Sequence, residues 1–167
     1  MAEVTLELIK KLRSKTGVGI GDCKKALIEA EGDIEEAAIL LRKKGMALAA
    51  KRSGNLTEHG IIEGFVSDDY TTSSLIELAC ETDFAANTKD MRNFASTLTK
   101  ESSNAKKMIE SAEELLGLSV NGTDLNIQSM LDELISKIAE KIIVSRTASF
   151  RTDDTGLTNL YIHPGSL

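Results

Sequence analysis

Apolar residues in the first part of the chain recur three or four positions apart, which is the spacing of an amphipathic helix. Two such stripes end at Gly17 and Gly32, and a third begins after Asp33, whose neighbours form a capping-box-like start. Good helix formers follow Gly45, so the third helix is expected to continue as a helical tail to about Arg52. The pattern therefore predicts a bundle of three short helices.

The pattern changes beyond a turn-forming Ser-Gly-Asn tripeptide at residues 53–55. Residues 59–67 and 72–80 are rich in β-favouring side chains and are joined by a polar turn, which predicts an antiparallel hairpin. The predicted fold class is α+β, with an N-terminal three-helix bundle followed by an antiparallel β-sheet with packed helices. The other predicted elements are helices over 88–100, 109–116 and 127–138 and a strand over 141–150.

Charge and turn signals divide the chain into three predicted parts. The first 52 residues are basic on balance, whereas the remainder is strongly acidic and brings the formal net charge to -6. We predict a helical N-terminal domain over 1–52, an α+β core subdomain over 53–140, and the start of a second, truncated β-containing subdomain over 141–167. The last part contains the apolar run LTNLYI, where a strand begun near Leu160 would need neighbours that the sequence does not supply.

Residues suited to covalent or metal chemistry are sparse. Cys23 and Cys80 lie far apart without a CxxC pair, and only His59 and His163 could supply ligand nitrogens, so neither a metal site nor a disulfide is predicted. The sequence contains no phosphate-binding GxxxxGK[ST] loop, no dinucleotide fingerprint after a strand, and no arrangement of nucleophile, base and acid. The chain is therefore expected to be neither an enzyme nor a cofactor-binding protein.

Composition argues against two further classes of protein. No apolar run approaches the roughly 18 residues of a membrane helix, and the N-terminus has no apolar signal stretch, so a cytoplasmic protein without membrane contact is expected. Aromatic residues make up 4% of the chain and tryptophan is absent, which disfavours direct nucleic-acid binding. The basic runs at 42–44 and 51–52 are either an RNA-binding strip or a solvated helix end.

The stretch CETDFAAN at residues 80–87 is the first candidate site. Thr82 has the side chain of an N-cap, and Asp83 would then lie at the positive end of a new helix. Phe84 follows, with no neighbour that fixes it at a core position. In one interpretation both side chains project outward to meet another protein. In the other, Phe84 packs back under the strand end as a hydrophobic staple.

The three short helices resemble a ubiquitin-associated (UBA-like) bundle, with the glycine-rich sequence Thr16-Gly-Val-Gly-Ile20 between the first two. In that fold the loop lies at the partner-binding edge, which makes Val18 and Ile20 candidate contact residues. The alternative is that both side chains only fill the small core.

Two longer stretches, LRSKTGVGIGDCKKAL at 12–27 and ELACETDFAAN at 77–87, closely resemble the signatures of the elongation factor Ts family, in the family's order and at about its spacing. The resemblance extends more loosely through SKIAEKIIVSRTASF and YIHPG, over essentially all 167 residues. It implies a guanine-nucleotide exchange factor that promotes GDP release from elongation factor Tu, a translational GTPase.

The resemblance also implies roles for particular residues. Asp83 and Phe84, with Thr82 in the same turn, match the residues that family members insert beside the magnesium and phosphate region of elongation factor Tu. Their effect on the Mg2+ and GDP of the partner would be indirect. Arg13 and Ile20 match positions that contact the partner in family members.

Two features depart from the family pattern. Gly21 departs from members that carry a large apolar residue at this position. Family members also usually continue well past the YIHPG motif, so either the chain is a fragment or a truncated form, or the remaining strands come from elsewhere. The alternative function is a UBA-type protein-binding adaptor without exchange activity, in which the hairpin region is only structural. An RNA-binding function ranks third.

Overall fold

The computed structural model describes residues 4–123, 125–153 and 155–163, and Pro164 and Gly165 of the YIHPG motif lie outside the described residues. The chain divides into two compact units, of which the first contains the described residues up to Leu56 together with Ser129–Ile142. The second contains the described residues of 57–128 and of 143–167. The elements are α1 (Leu6–Thr16), α2 (Ile20–Glu29), α3 (Ile34–Lys51), β1 (His59–Val66), β2 (Thr72–Cys80), α4 (Asp83–Ala86), α5 (Lys89–Asn104), α6 (Ala112–Leu116), α7 (Ile127–Ile138) and β3 (Ile142–Arg151).

The predicted three-helix bundle is confirmed in the first unit. Thr5 caps α1, since its hydroxyl oxygen accepts a hydrogen bond from the Leu8 backbone N–H at 3.3 Å. Gly17 ends α1 in the left-handed conformation, with a φ of 70°. The carboxylate of Asp33 caps α3 by accepting hydrogen bonds from two backbone N–H groups of the first turn, at 2.8 and 2.9 Å. The buried core of the bundle consists of Ile9, Leu12, Val18, Cys23, Ala26, Leu27, Ala30, Ala37 and Leu41.

Helix α3 continues past Gly45 to Lys51, which confirms the expected helical tail. Gly45 is buried within the helix because α7 packs closely against α3 at this point. A Cβ atom on Gly45 would lie 2.3 Å from the backbone oxygen of Asp132. The hydroxyl of Ser136 also donates a hydrogen bond to the Leu41 carbonyl, at 3.0 Å. This glycine therefore permits a close helix contact and does not end a helix.

The second unit contains a sheet with the strand order β1-β2-β3. β1 and β2 form the predicted antiparallel hairpin, with His59 opposite Cys80. β3 lies on the other side of β2. Just beyond β3, the Thr152 N–H donates to the carbonyl of Thr71 at 2.9 Å, so the end of β3 meets the start of β2 and the two strands run antiparallel.

Helix α5 covers one face of the hairpin through alternate side chains of β2. The Ser74 hydroxyl donates to the Thr99 carbonyl at 2.6 Å, and the hydroxyl oxygens of Thr72 and Ser103 lie 2.7 Å apart. The covered sheet agrees with the mostly apolar sequence of β2. The buried apolar side chains of β2 and α5 are Ile76, Leu78, Ala79, Cys80, Met91, Phe94, Ala95 and Leu98.

The described C-terminal residues pack against the hairpin of the second unit. Within the described residues the apolar run at 157–162 is not a strand, and Leu160 instead packs over β1, where a Cβ on Gly64 would lie 2.5 Å from its Cδ2 atom. β3 joins the hairpin sheet and does not begin a separate one, since pairing with β2 satisfies its backbone groups. Ser129–Ile142 groups with the N-terminal bundle. The proposed domain boundaries themselves stay a prediction.

Candidate functional site

The first candidate site is the turn that connects β2 to α5. Thr82 is the N-cap of α4, as predicted, because its hydroxyl oxygen accepts a hydrogen bond from the Ala85 N–H at 3.2 Å. α4 itself comprises only four residues, far fewer than an isolated helix needs for stability. Its conformation must therefore be imposed by the caps and by the packing beneath it.

Packing beneath α4 determines which side chains face outward. Ala85 and Ala86 are buried, at 3% and 5% exposure, whereas Phe84 is 82% exposed. Since successive helical residues are about 100° apart, burying the two alanines turns the phenylalanine ring toward solvent. Asp83 is also exposed, and its Oδ1 atom accepts a hydrogen bond from the Phe84 N–H at 2.9 Å. Phe84 therefore projects outward and does not pack back as a staple, while its contact with another protein stays a prediction.

Peptide carbonyls of this turn accept side-chain hydrogen bonds in addition to the backbone hydrogen bonds of a helical turn. Three of them each accept one backbone hydrogen bond and one side-chain hydrogen bond, at distances between 2.8 and 3.2 Å. Sequence reasoning missed these side-chain donors, although an asparagine and a threonine directly after a short helix are the signal that could have indicated them. The carbonyl of Thr82 accepts from the Ala86 N–H and the Cys80 thiol, that of Asp83 from the N–H and side-chain amide of Asn87, and that of Ala85 from the N–H and hydroxyl of Thr88.

The second candidate site is the loop between α1 and α2 in the first unit. Val18 is buried, at 3% exposure, and belongs to the bundle core, so the core-filling alternative holds for Val18. Ile20 begins α2 and is 55% exposed, so that alternative fails for Ile20. Arg13 is exposed on α1, and its carbonyl accepts the hydrogen bond from the Gly17 N–H that closes the helix, at 2.7 Å. The buried Val18 therefore anchors the loop in the bundle core, while Ile20 is exposed to solvent.

Cys23 holds this loop in place. Its thiol donates a hydrogen bond to the Val18 carbonyl at 3.4 Å, and its sulfur lies 4.0 Å from the Thr16 hydroxyl oxygen. Burial raises the pKa of the Cys23 thiol above its ordinary value, although the neighbouring Thr16 hydroxyl opposes that shift. The group therefore stays protonated at neutral pH and acts as a structural donor, not as a nucleophile.

Gly21, beside the exposed Ile20, has open space around it, with no atom within 4 Å of the position a Cβ would take. Glycine inside a helix costs stability because the unfolded chain is more flexible at that residue. We expect Gly21→Ala to stabilise the bundle by about 0.5 to 1 kcal/mol. Native-state hydrogen exchange of the α2 amides would measure the change, and slower exchange is the expected result. Faster exchange would mean that α2 needs the glycine for a contact absent from this structure.

The basic runs of α3 are partly neutralised within the first unit. Arg42 forms an ion pair with Glu133 at 2.6 Å, and Lys44 forms one with Asp22 at 2.5 Å. Lys141 donates hydrogen bonds to the carbonyls of residues 53 and 55, in the turn that follows α3. Cations held in this way favour the interpretation of a solvated, paired helix surface over an RNA-binding strip.

The described residues provide neither a metal-binding cluster nor a membrane-spanning helix. Across 4–123, 125–153 and 155–163, no three histidine, cysteine, aspartate or glutamate side chains are grouped so as to hold a metal ion. In the same parts of the chain, every helix is too short or too polar to cross a membrane.

The fold and these two sites define an α+β protein with an exposed acidic and aromatic pair on a capped turn. The family model described as Elongation factor TS matches residues 81–167, just over half of the chain. Proteins named Elongation factor Ts are also similar: those of Clostridium perfringens strain 13 and Nautilia profundicola are each 41% identical, over 97% and 99% of this chain and 52% of their own length. The protein of that name from Prosthecochloris aestuarii is 41% identical over 99% of this chain and 57% of its own length.

This chain belongs to the elongation factor Ts family. It spans about half the length of the curated relatives it matches.

Proposed function

We propose that this chain is a cytoplasmic guanine-nucleotide exchange factor that promotes GDP release from elongation factor Tu, and that it makes and breaks no covalent bond. The observation that carries the proposal is the exposed Phe84 ring, beside the exposed carboxylate of Asp83, on a turn fixed by capping. Membership of the elongation factor Ts family supports the identity of the partner. The proposed partner-binding residues are Thr82, Asp83, Phe84, Arg13, Val18 and Ile20, with Val18 acting through the loop that it anchors.

Exchange of this kind depends on differential binding. A factor that binds the nucleotide-free GTPase more tightly than the GDP-bound form must weaken GDP binding by the same factor. Burying a phenylalanine side chain against a partner is worth about 1.5 to 3 kcal/mol. Contact made only with the open form would therefore weaken GDP binding by about tenfold to a hundredfold.

Asp83 would contribute electrostatically. A carboxylate brought near the phosphates of GDP repels them, and it would compete with, or reposition, the groups that hold Mg2+ and phosphate. In the free chain this carboxylate is exposed and accepts the Phe84 N–H, so it is held beside the residue that carries the ring. Acid and ring would therefore act together.

The exposed Ile20 and Arg13 support a second contact through the α1–α2 loop. An apolar side chain at 55% exposure, with a guanidinium on the preceding helix, suits a partner surface that combines apolar and acidic residues. This contact would add affinity without acting on the nucleotide.

Stopped-flow release of a fluorescent GDP analogue from elongation factor Tu tests the proposal. We expect the observed release rate to rise with the concentration of this chain, by about tenfold or more at saturation. Binding without any acceleration would overturn the proposal and favour the adaptor function. Absence of binding in calorimetry would exclude both functions for this partner.

A further inference from the structure

We propose that Asn87 is a positioning residue, which holds Asp83 and Phe84 in the orientation that meets the partner. This inference rests on the proposed function, because it names a residue that acts through the pair described above. Asn87 does not itself need to touch the GTPase.

The bonding of the Asp83 carbonyl carries the inference. This oxygen accepts the backbone N–H of Asn87 at 3.1 Å and the side-chain amide nitrogen of Asn87 at 2.9 Å. A carbonyl can only accept, so the amide nitrogen of the side chain and not its oxygen must face it. The peptide between Asp83 and Phe84 is therefore fixed by two donors from one residue.

A second donor is needed because α4 is a single turn. Four helical residues gain too little from their own hydrogen bonds to offset the entropy of ordering them. Phe84 adds nothing to its own order, since its ring is 82% exposed and packs on little of the chain. A side chain that samples several orientations in the free chain loses conformational entropy when binding immobilises it, and this loss lowers the affinity. A side chain already held in its bound orientation avoids the loss.

Among the three side chains that bond to carbonyls of the turn, Asn87 can be changed with least disturbance. Cys80 is fully buried in the strand, and Thr88 also caps α5 by accepting the Met91 N–H at 3.2 Å. Asn87 is exposed and follows the buried alanines. Removing its amide should leave the core and the α5 cap intact.

The first experiment needs no partner. We expect the 15N relaxation order parameters of the Asp83 and Phe84 amides to fall from about 0.85 to below about 0.6 in Asn87→Ala. Asn87→Thr should restore them, because a threonine hydroxyl can bond the carbonyl four residues earlier, as Thr97 does to Asn93 at 3.0 Å. Thr97→Val is the matched control: it removes that equivalent bond from α5 and should leave the two order parameters unchanged.

The second experiment measures GDP release from elongation factor Tu with the whole chain. We expect Asn87→Ala to lower the maximal stimulated rate by about twofold to tenfold, and Asn87→Thr to recover most of the loss. If Asn87 acts through Asp83 and Phe84, adding Asn87→Ala to Phe84→Ala should cost less than Asn87→Ala costs in the unmodified chain, because only the effect through Asp83 remains. A purely structural role would instead lower the thermal midpoint and give additive losses.

The results separate the two proposals. An unmodified chain that fails to accelerate release contradicts the proposed function, while the order parameters still decide whether Asn87 fixes the turn. An active chain whose Asn87→Ala variant keeps both its rate and its order parameters contradicts the positioning role. Additive losses in the double variant contradict it as well.

Discussion

Phe84→Ala is expected to slow stimulated GDP release from elongation factor Tu by about tenfold to a hundredfold, while the free energy of unfolding stays nearly the same. The two expectations have one cause. At 82% exposure the ring contributes almost nothing to the core of the free chain, so its removal leaves no cavity. Most of the apolar surface of the ring is still available for burial against a partner. Stopped-flow release and thermal unfolding, measured on the same preparation, check both parts.

The chain supplies two matched controls for this substitution. Phe150 is also exposed, at 59%, but it lies at the end of β3, so Phe150→Ala should leave the release rate unchanged. Phe94 is buried in α5 at 5% exposure, and Phe94→Ala should cost about 3 to 5 kcal/mol of stability. A Phe84 variant that unfolds like the Phe94 variant, or one that releases GDP at the unmodified rate, would be incompatible with the proposed role.

The capped turn shows how far local sequence determines this site. Thr82 could be identified as an N-cap from its residue type and its place before an acid, because capping involves only the next few residues. The direction of the Phe84 ring could not be identified in that way. It depends on the burial of Ala85 and Ala86 by other elements of the unit, and two small residues give almost no periodic signal of their own.

For the α1–α2 loop, too, the sequence predicted the local backbone but not which side chains are exposed. Its glycines indicated where α1 ends, and Gly17 does adopt the left-handed conformation there. Val18 and Ile20 are both apolar and lie two residues apart, so the sequence offered no reason to predict that one is buried and the other exposed. The bundle buries the first and exposes the second, because only the first points into the space between the helices.

Long-range packing was the part that the sequence least revealed. A periodic stripe predicted α7 correctly, yet it did not indicate that the later residues of this helix pack on α3. Gly45 is the sequence feature that could have indicated this helix contact. A glycine amid good helix formers has two explanations, a helix end or a close approach by another backbone, and only the second requires a distant partner.

That close approach leads to the second large effect, since Gly45→Ala is expected to destabilise the first unit by about 1 to 3 kcal/mol. Alanine is intrinsically the better helix former, by about 1 kcal/mol, so propensity alone predicts the opposite sign. A Cβ at this position would lie 2.3 Å from the Asp132 backbone oxygen and 3.0 Å from the Ser136 Cβ. Neither atom can turn aside as the end of a flexible side chain can, so α7 would have to move away from α3.

Gly21→Ala makes the comparison decisive, because it introduces the same methyl group into a helix of the same bundle where nothing lies within 4 Å. Native-state hydrogen exchange should show faster exchange of the α3 and α7 amides in the Gly45 variant and slower exchange of the α2 amides in the Gly21 variant. The hydrogen bond from Ser136 to the Leu41 carbonyl should weaken together with the α3 contact. Equal stabilisation by both substitutions would mean that α3 and α7 are farther apart in solution than these distances require.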